Sequence, residues 1–245
     1  MSYSTSTTTT TSSDNTPFMA SDIDLSKIMI NDPVPGKANP TFKSGYITYN
    51  GQPLMVQTPW LRTWDGIVQP SEQFRQPGAP PKYSLNFSLN GKNKEQVMLF
   101  QQFLNDFDNK IIEEACKEQN AKTWGFNKKM SPEICEHIYS KQLKLAKDKE
   151  TNDFTDKYPA NFRVKVPFYE GVWKDVELYN ENMEEVIGDL SMHLTGRCDV
   201  RAILKCSTIW FAGSKFGITW QLHKAEYKAD EQLLKSYRFR PENEG

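Results

Sequence analysis

The run from Arg197 to Tyr227 leaves this chain few ways to fold. Val200, Ala202, Leu204, Cys206 and Thr208 alternate with Arg201, Ile203, Lys205, Ser207 and Ile209. A period of two is the signature of a strand with two distinct faces. Ala212-Gly-Ser-Lys-Phe-Gly217 then supplies turn residues, and Ile218, Trp220, Leu222 and Lys224 alternate with Thr219, Gln221, His223 and Ala225 on the way back. Two β-rich runs around a short Gly-containing loop predict a hairpin.

The hairpin also carries chemistry. Arg201 and Lys205 share a strand face, Lys215 sits in the turn, and Trp210, Phe216 and Trp220 stand nearby. Cations beside aromatic rings suit a single-stranded nucleic acid, whose phosphates take the charge while its bases stack on the rings. The same text fits a core hairpin whose rings are simply buried, since Trp is well buried on average. Sequence parity cannot separate the two, because a turn lies between Trp210 and Trp220.

The charge totals do not announce a nucleic-acid binder. Thirty Lys and Arg balance 31 Asp and Glu, a formal charge of −1. The charges are segregated, however. Arg197, Arg201, Lys205, Lys215, Lys224 and Lys228 cluster on the hairpin, after an acidic block holding Asp175, Glu177, Glu181, Glu184, Glu185 and Asp189. A local basic face can steer an anionic polymer whatever the net charge. Cys116, Cys135, Cys198 and Cys206 form no Cys-x-x-Cys pair, and the three His residues have no zinc spacing, so no metal site is expected. Cys198 and Cys206, eight apart on one strand, would lie about 26 Å apart at roughly 3.3 Å per residue, so four free thiols are expected. There is no secretory leader pattern and no run of about 18 apolar residues, hence no expected membrane span.

In chain order, residues 1–15 are a Ser/Thr tract expected to be disordered, and Pro33, Pro35 and Pro40 extend it into a linker, so the first forty residues are expected to be dispensable for folding. Tyr46-Ile-Thr-Tyr49, Asn50-Gly51 and Pro53 to Thr58 predict a hairpin with a tight turn. Tyr83, Leu85, Phe87 and Leu89 mark a strand. Val97, Phe100, Phe103, Leu104, Phe107, Ile111 and Cys116 predict a helix over 94–119, and Ser131-Pro132 starts a second one reaching 148, with Lys141, Lys144 and Lys147 on one face. Phe162 to Phe168 returns to strand, with Val172 to Tyr179 pairing back. Residues 183–193 have no clear pattern, and Asp230 to Tyr237 reads as a short helix.

Enzymatic signatures are missing. There is no Gly-rich phosphate loop and no Gly-x-Ser-x-Gly elbow. Asp22 and Asp24 lie in the expected linker, and Glu184-Glu185 lacks ligand partners. The expectation is a protein with no catalytic residues, no metal and no cofactor.

Three segments carry a resemblance: Ile47-Thr-Tyr-Asn-Gly-Gln-Pro-Leu-Met-Val-Gln-Thr-Pro-Trp60, Tyr83-Ser-Leu-Asn-Phe-Ser-Leu89, and Ile209-Trp-Phe with Phe216-Gly-Ile-Thr-Trp220. Over about residues 44–228 the chain resembles a single-stranded DNA-binding family of large nucleocytoplasmic DNA viruses, typified by the African swine fever virus member with its oligonucleotide-binding (OB) barrel. The resemblance implies an α+β fold: an antiparallel OB-like β-barrel with a helical insertion and a disordered N-terminus. The domains would be a disordered Ser/Thr-rich and Pro-containing arm at 1–40, one OB-like nucleic-acid-binding domain at 41–237 with helices at about 94–148 inserted, and a loose tail at 238–245. It implies non-sequence-specific binding of single-stranded DNA in viral DNA replication, recombination or repair. The setting would be the viral factory of the host cytoplasm, or the virion. Replication proteins are expected as further partners, with homo-oligomers and without a membrane. Stacking falls to Trp60, Trp210, Phe216 and Trp220, and phosphate contact to Arg62, Arg201, Lys205 and Lys215. The alternative is a viral structural or scaffold protein that uses the same aromatic surface to bind another protein.

Overall fold

The computed structural model describes residues 16–37, 39–69, 81–126, 129–148, 150–155 and 157–229. Its N-terminal part departs from the expected linker. Phe18–Met19 (β1), Ile28–Ile30 (β2) and Val34–Pro35 (β3) lie on the hairpin made by Lys43–Tyr49 (β4) and Gln52–Gln57 (β5). β1 runs parallel to β5, while β2 and β3 run antiparallel to β4. Ile28 is buried, and Phe18, Ile23, Leu25 and Ile30 pack against the core. These apolar residues are too irregularly spaced to show a period, but Phe18 pairs with β5 and Ile28 and Ile30 pair with β4. The structured region therefore begins ahead of residue 40; the Ser/Thr tract at 1–15 lies outside the described residues.

That packing gives an expected outcome. Burying one Ile side chain is worth about 1.5–3 kcal/mol, and a domain of this size loses roughly 2–4 °C of Tm per kcal/mol. Deleting residues 1–35 should lower Tm by roughly 5–10 °C in a thermal melt. A truncated protein melting with the parent would return the arm to the status of a dispensable linker.

β4 and β5 join through Asn50 and Gly51, at φ 51° and 77°. Two left-handed residues in a row make the type I′ turn expected of that dipeptide. Leu61–Thr63 (β6), Ile67–Val68 (β7) and Tyr83–Ser88 (β8) follow, with β7 antiparallel to β8.

The helical insertion comes next. Lys94–Cys116 (α1) is capped by Asn93, whose side chain accepts from the Gln96 N–H at 3.1 Å. Its buried stripe holds the predicted Val97, Phe100, Phe103, Leu104, Phe107 and Ile111 and adds Asp108, Ile112 and Ala115, while Cys116 is only half-buried; Phe103 and Phe107 meet the Trp220 ring edge-on at 6.3 and 5.9 Å. The helix ends sooner than expected. Lys117 is extended, and Glu118–Thr123 (α2) starts afresh. The second predicted helix is shorter still: Ser131 caps Pro132–Ile138 (α3), and then the chain turns extended. Tyr139 leaves the helix because its ring enters the core against Phe216, 5.1 Å away. Tyr139–Ser140 (β9), Leu143–Lys144 (β10) and Ala146–Lys147 (β11) occupy most of the remaining span to 148, and Phe154–Thr155 (β12) follows and pairs with β11. Lys141, Lys144 and Lys147 thus share no helix face.

Asn161–Val166 (β13), Phe168–Tyr169 (β14), Val172–Trp173 (β15), Glu177–Tyr179 (β16) and the short helix Leu190–His193 (α4) lead to the predicted hairpin, Cys198–Ala212 (β17) and Lys215–Lys228 (β18). Ala212 faces Lys215, so the turn is Gly213-Ser214, with Gly213 at φ 57°. Five strands close a barrel: β17 pairs with β6, β6 with β8, β8 with β13, β13 with β18, and β18 with β17. Leu61, Leu85, Phe87, Phe162, Val164, Val200, Leu204, Trp220 and Leu222 fill it.

The fold is α+β and barrel-based, but its pairing is mixed rather than antiparallel throughout. β13, β16 and β9 all run parallel to β18. The physical reason is the connection. A parallel neighbour needs a long crossover; here the chain leaves β13, passes through residues 167–197 and up β17, and comes down β18 in the direction it left.

Candidate nucleic-acid interface

Two β-bulges decide which way the hairpin side chains point. The β17–β18 register slips between Ile203 and Leu204 and again between Cys206 and Thr208. The second slip makes Ser207 an extra residue, and an extra residue inverts the parity beyond it. Cys198, Val200, Ala202, Leu204 and Cys206 face inward before it; Ile209 and Phe211 face inward after it. Trp210 is thereby turned outward. Its ring covers Gly217 so closely that a Cβ there would lie 2.9 Å from the indole.

The predicted rings separate accordingly. Trp60 and Trp210 are half-buried on the outside. Phe216 and Trp220 are 0% and 3% exposed, so the expected stacking role is corrected for both. Trp220 lies opposite Cys206 inside the barrel, and its indole N–H donates to Gln142 Oε1. Phe216 stacks on Phe211 at 5.7 Å under Trp124 and Phe126. Neither ring can meet a base without unfolding the barrel.

The predicted cations separate too. Lys215 is at the hairpin tip near Trp210, at the opposite end of β17 from Arg201. Of the five other predicted residues, Trp210 stays with Lys215 near the hairpin tip, and Trp60, Arg62, Arg201 and Lys205 form one outer surface. Asp199 faces Arg62 across β17 and β6, and the rings of Trp60 and Trp64 stand on the same side of that strand as Arg62. The Arg201 guanidinium lies 5.1 Å from the Trp60 ring centroid and the Lys228 ammonium 4.4 Å. Arg62 lies 5.2 Å from the ring of Trp64, which is 53% exposed. Further along, register places Met55, Lys205, Gln221 and Lys165 side by side across four strands.

A groove of about 810 Å³ runs over that row. Pro17 and Phe18 of the N-terminal arm line one side, and Tyr169 and Lys174 the other. Lys165 Nζ donates to the Tyr169 hydroxyl at 2.8 Å and sits 5.1 Å from its ring. Lys224 Nζ is 4.8 Å from the Tyr179 ring and 2.8 Å from Glu177 Oε2; that bond holds the lysine above its ordinary range and the carboxyl below. Acidic partners occupy some of the cations: Arg62 pairs with Asp199 at 3.1 Å, and Arg201 with Glu226. Lys165, Lys174, Lys205 and Lys228 have no ion-pair partner among the described residues. Sequence reading missed Trp64, Lys165, Tyr169, Lys174, Lys224 and Lys228 as site residues. The strand expected over Phe162 to Phe168 contains Lys165, but local sequence does not say which strand lies beside it.

Beneath the surface, a buried polar chain explains the inward Trp220. Asp108 of α1 accepts from the Tyr139 hydroxyl at 2.6 Å and from the Gln142 side-chain and backbone N–H groups at 2.7 and 3.1 Å. Gln142 in turn accepts from Trp220. Burial raises the Asp108 pKa above its ordinary value, against the lowering effect of these bonds. A raised folded-state pKa means that the associated stability is present below the unfolded value and is lost as pH rises through the folded one. Parent stability should therefore fall relative to Asp108→Asn as pH rises from about 4. Urea unfolding of both proteins across pH 4–8 checks this; parallel curves would contradict it.

Among the described residues no cluster of His, Cys, Asp and Glu is able to hold a metal, and no helix is long and apolar enough to cross a membrane. No protein-family model and no curated protein matches the sequence. Among solved structures, a single-stranded DNA-binding protein from bacteriophage Enc34, in complex with single-stranded DNA, is 13% identical with a TM-score of 0.43 over 81% of this chain and 96% of its own. The single-stranded DNA-binding protein gp2.5 of bacteriophage T7 is 8% identical with a TM-score of 0.43, over 76% and 98% respectively. Likenesses this loose transfer no residue role.

Proposed function

We propose that the outer barrel face from Trp64 and Trp60 to Lys165 and Tyr169 binds single-stranded DNA without sequence selectivity. One observation carries the reading: rings and cations share this face in alternation, with Trp60 between Arg201 and Lys228 at one end and a groove lined by Lys205, Gln221, Tyr169 and Lys174 at the other, Lys165 lying beside Gln221 in register. Aromatic platforms take bases of any identity, and the lysines follow the backbone. The scaffold alternative is less well supported, because protein-binding interface cores are depleted in Lys, whereas Lys165, Lys174, Lys205, Lys224 and Lys228 crowd this surface. The proposal includes a role without catalysis, in viral DNA replication, recombination or repair in the host cytoplasm; this setting rests on the sequence resemblance alone.

A fluorescent oligothymidine titrated at several salt concentrations tests the reading. Each phosphate neutralised on a single strand contributes about −0.7 to the log–log slope. With the four lysines that have no ion-pair partner as contacts, the slope should be about −3. Absence of binding at low salt would end the proposal, and salt-independent binding would move it to the protein-partner alternative.

A further inference from the structure

The Sγ atoms of Cys116 and Cys135 lie 3.2 Å apart, bridging the last residue of α1 and the middle of α3. Nothing in the DNA-binding face uses them. All four cysteines are free thiols, and Cys198 and Cys206 are buried on the inner face of β17. Cys135 is buried and Cys116 half-buried, so the pair has an accessible member and a shielded one.

We propose that Cys116 and Cys135 form a reversible modification site that closes to a disulfide by exchange with a small-molecule disulfide such as oxidised glutathione. The Cys116 thiolate attacks one sulfur of the small disulfide, forming a mixed disulfide and releasing one small thiolate. Cys135, having lost its proton to solvent, then attacks the Cys116 sulfur and expels the second. The protein dithiol is oxidised by two electrons, and one small disulfide is reduced to two small thiols. The order follows from access: an outside reagent reaches Cys116 first. Burial and the neighbouring Cys116 thiol push the Cys135 thiol up to about 12, which makes Cys135 a poor first nucleophile but leaves it in contact with the sulfur it must attack. Bond formation requires the sulfurs to close by only about 1.2 Å to the usual S–S length.

Closure makes a ring containing α2, Trp124 and Phe126, the last two packed edge-on over Phe211 and Phe216. A covalent ring of that size restrains the unfolded chain and should raise Tm by about 5–10 °C.

The test incubates the full-length protein with excess oxidised glutathione, then alkylates it in denaturant and maps it by mass spectrometry. The expected parent shows a Cys116–Cys135 linked peptide and only two alkylated thiols. Cys135→Ser should instead retain glutathione on Cys116, while Cys116→Ser should stay unmodified. Four alkylated thiols in the treated parent would overturn the proposal. So would a lasting glutathione adduct on parent Cys116, or a link through Cys198 or Cys206. Because the decisive readout is on the parent, a variant that folds poorly does not rescue the idea.

Discussion

Trp220→Ala should cost about 3–5 kcal/mol of folding stability, as expected for emptying a core aromatic site, and should leave DNA binding by the folded fraction unchanged. The ring touches Phe103, Phe107 and Phe162 edge-on, at 6.3, 5.9 and 6.2 Å. Its loss opens a cavity where the insertion helix meets the barrel. It also removes the donor to Gln142 Oε1, and an unsatisfied buried acceptor costs about 1–3 kcal/mol. Trp220→Phe separates the two contributions: it keeps most of the packing and loses the N–H. That variant should lose about 1–3 kcal/mol and bind oligothymidine like the parent. Urea unfolding followed by titration of each folded variant measures both. A fully folded Trp220→Ala protein with lost affinity would place the ring at the DNA and refute the inward assignment.

What the sequence made legible, and what it hid, divides along a physical line. The hairpin, the Asn50-Gly51 turn and the α1 stripe were readable because each follows from residues within one or two turns of structure. The outward Trp210 was not, because a bulge at Ser207 inverts the parity of β17 and no local residue type requires it; nor was the inward Trp220, whose partner Gln142 lies 78 positions away. The truncation of the second predicted helix after Ile138 was hidden for a different reason. Tyr139 is drawn out by Asp108, thirty-one positions away, and by Phe216, so tertiary contacts overrode a helical pattern. Of the candidate surface, part was legible as a shared face. Trp60, Arg62, Arg201 and Lys205 lie together on one face, whereas Lys165 joined it only through the parallel pairing of β13 with β18. Which strands become neighbours is decided by the crossover, which local periodicity does not report.

Trp60→Ala should weaken oligothymidine binding by about 1–3 kcal/mol, the range for removing one stacking platform, or roughly 5- to 150-fold in Kd. Trp60 is the best single probe because its ring lies outside the barrel, so its truncation empties no core site. Arg201→Ala is a poorer probe than charge alone suggests. Arg201 pairs with Glu226, whose side chain is only 13% exposed, so removing the arginine strands a mostly buried carboxylate and mixes a folding defect into the binding result. Lys165 and Lys205 avoid that difficulty. They flank Gln221 in register, without ion-pair partners among the described residues, so the double variant Lys165→Ala/Lys205→Ala should fold as the parent does. If both contact phosphate, its log–log salt slope should be shallower by about 1.4, at about 0.7 per contact on a single strand. The two variants therefore predict different signatures. Trp60→Ala lowers affinity at every salt concentration with the slope preserved, while the lysine pair lowers it most at low salt and flattens the slope. Lys215→Ala, at the distant hairpin tip, is the internal control and should change neither quantity. If Lys215→Ala flattens the slope and the groove lysines do not, the strand follows the hairpin tip, and the outer barrel face is not the binding surface.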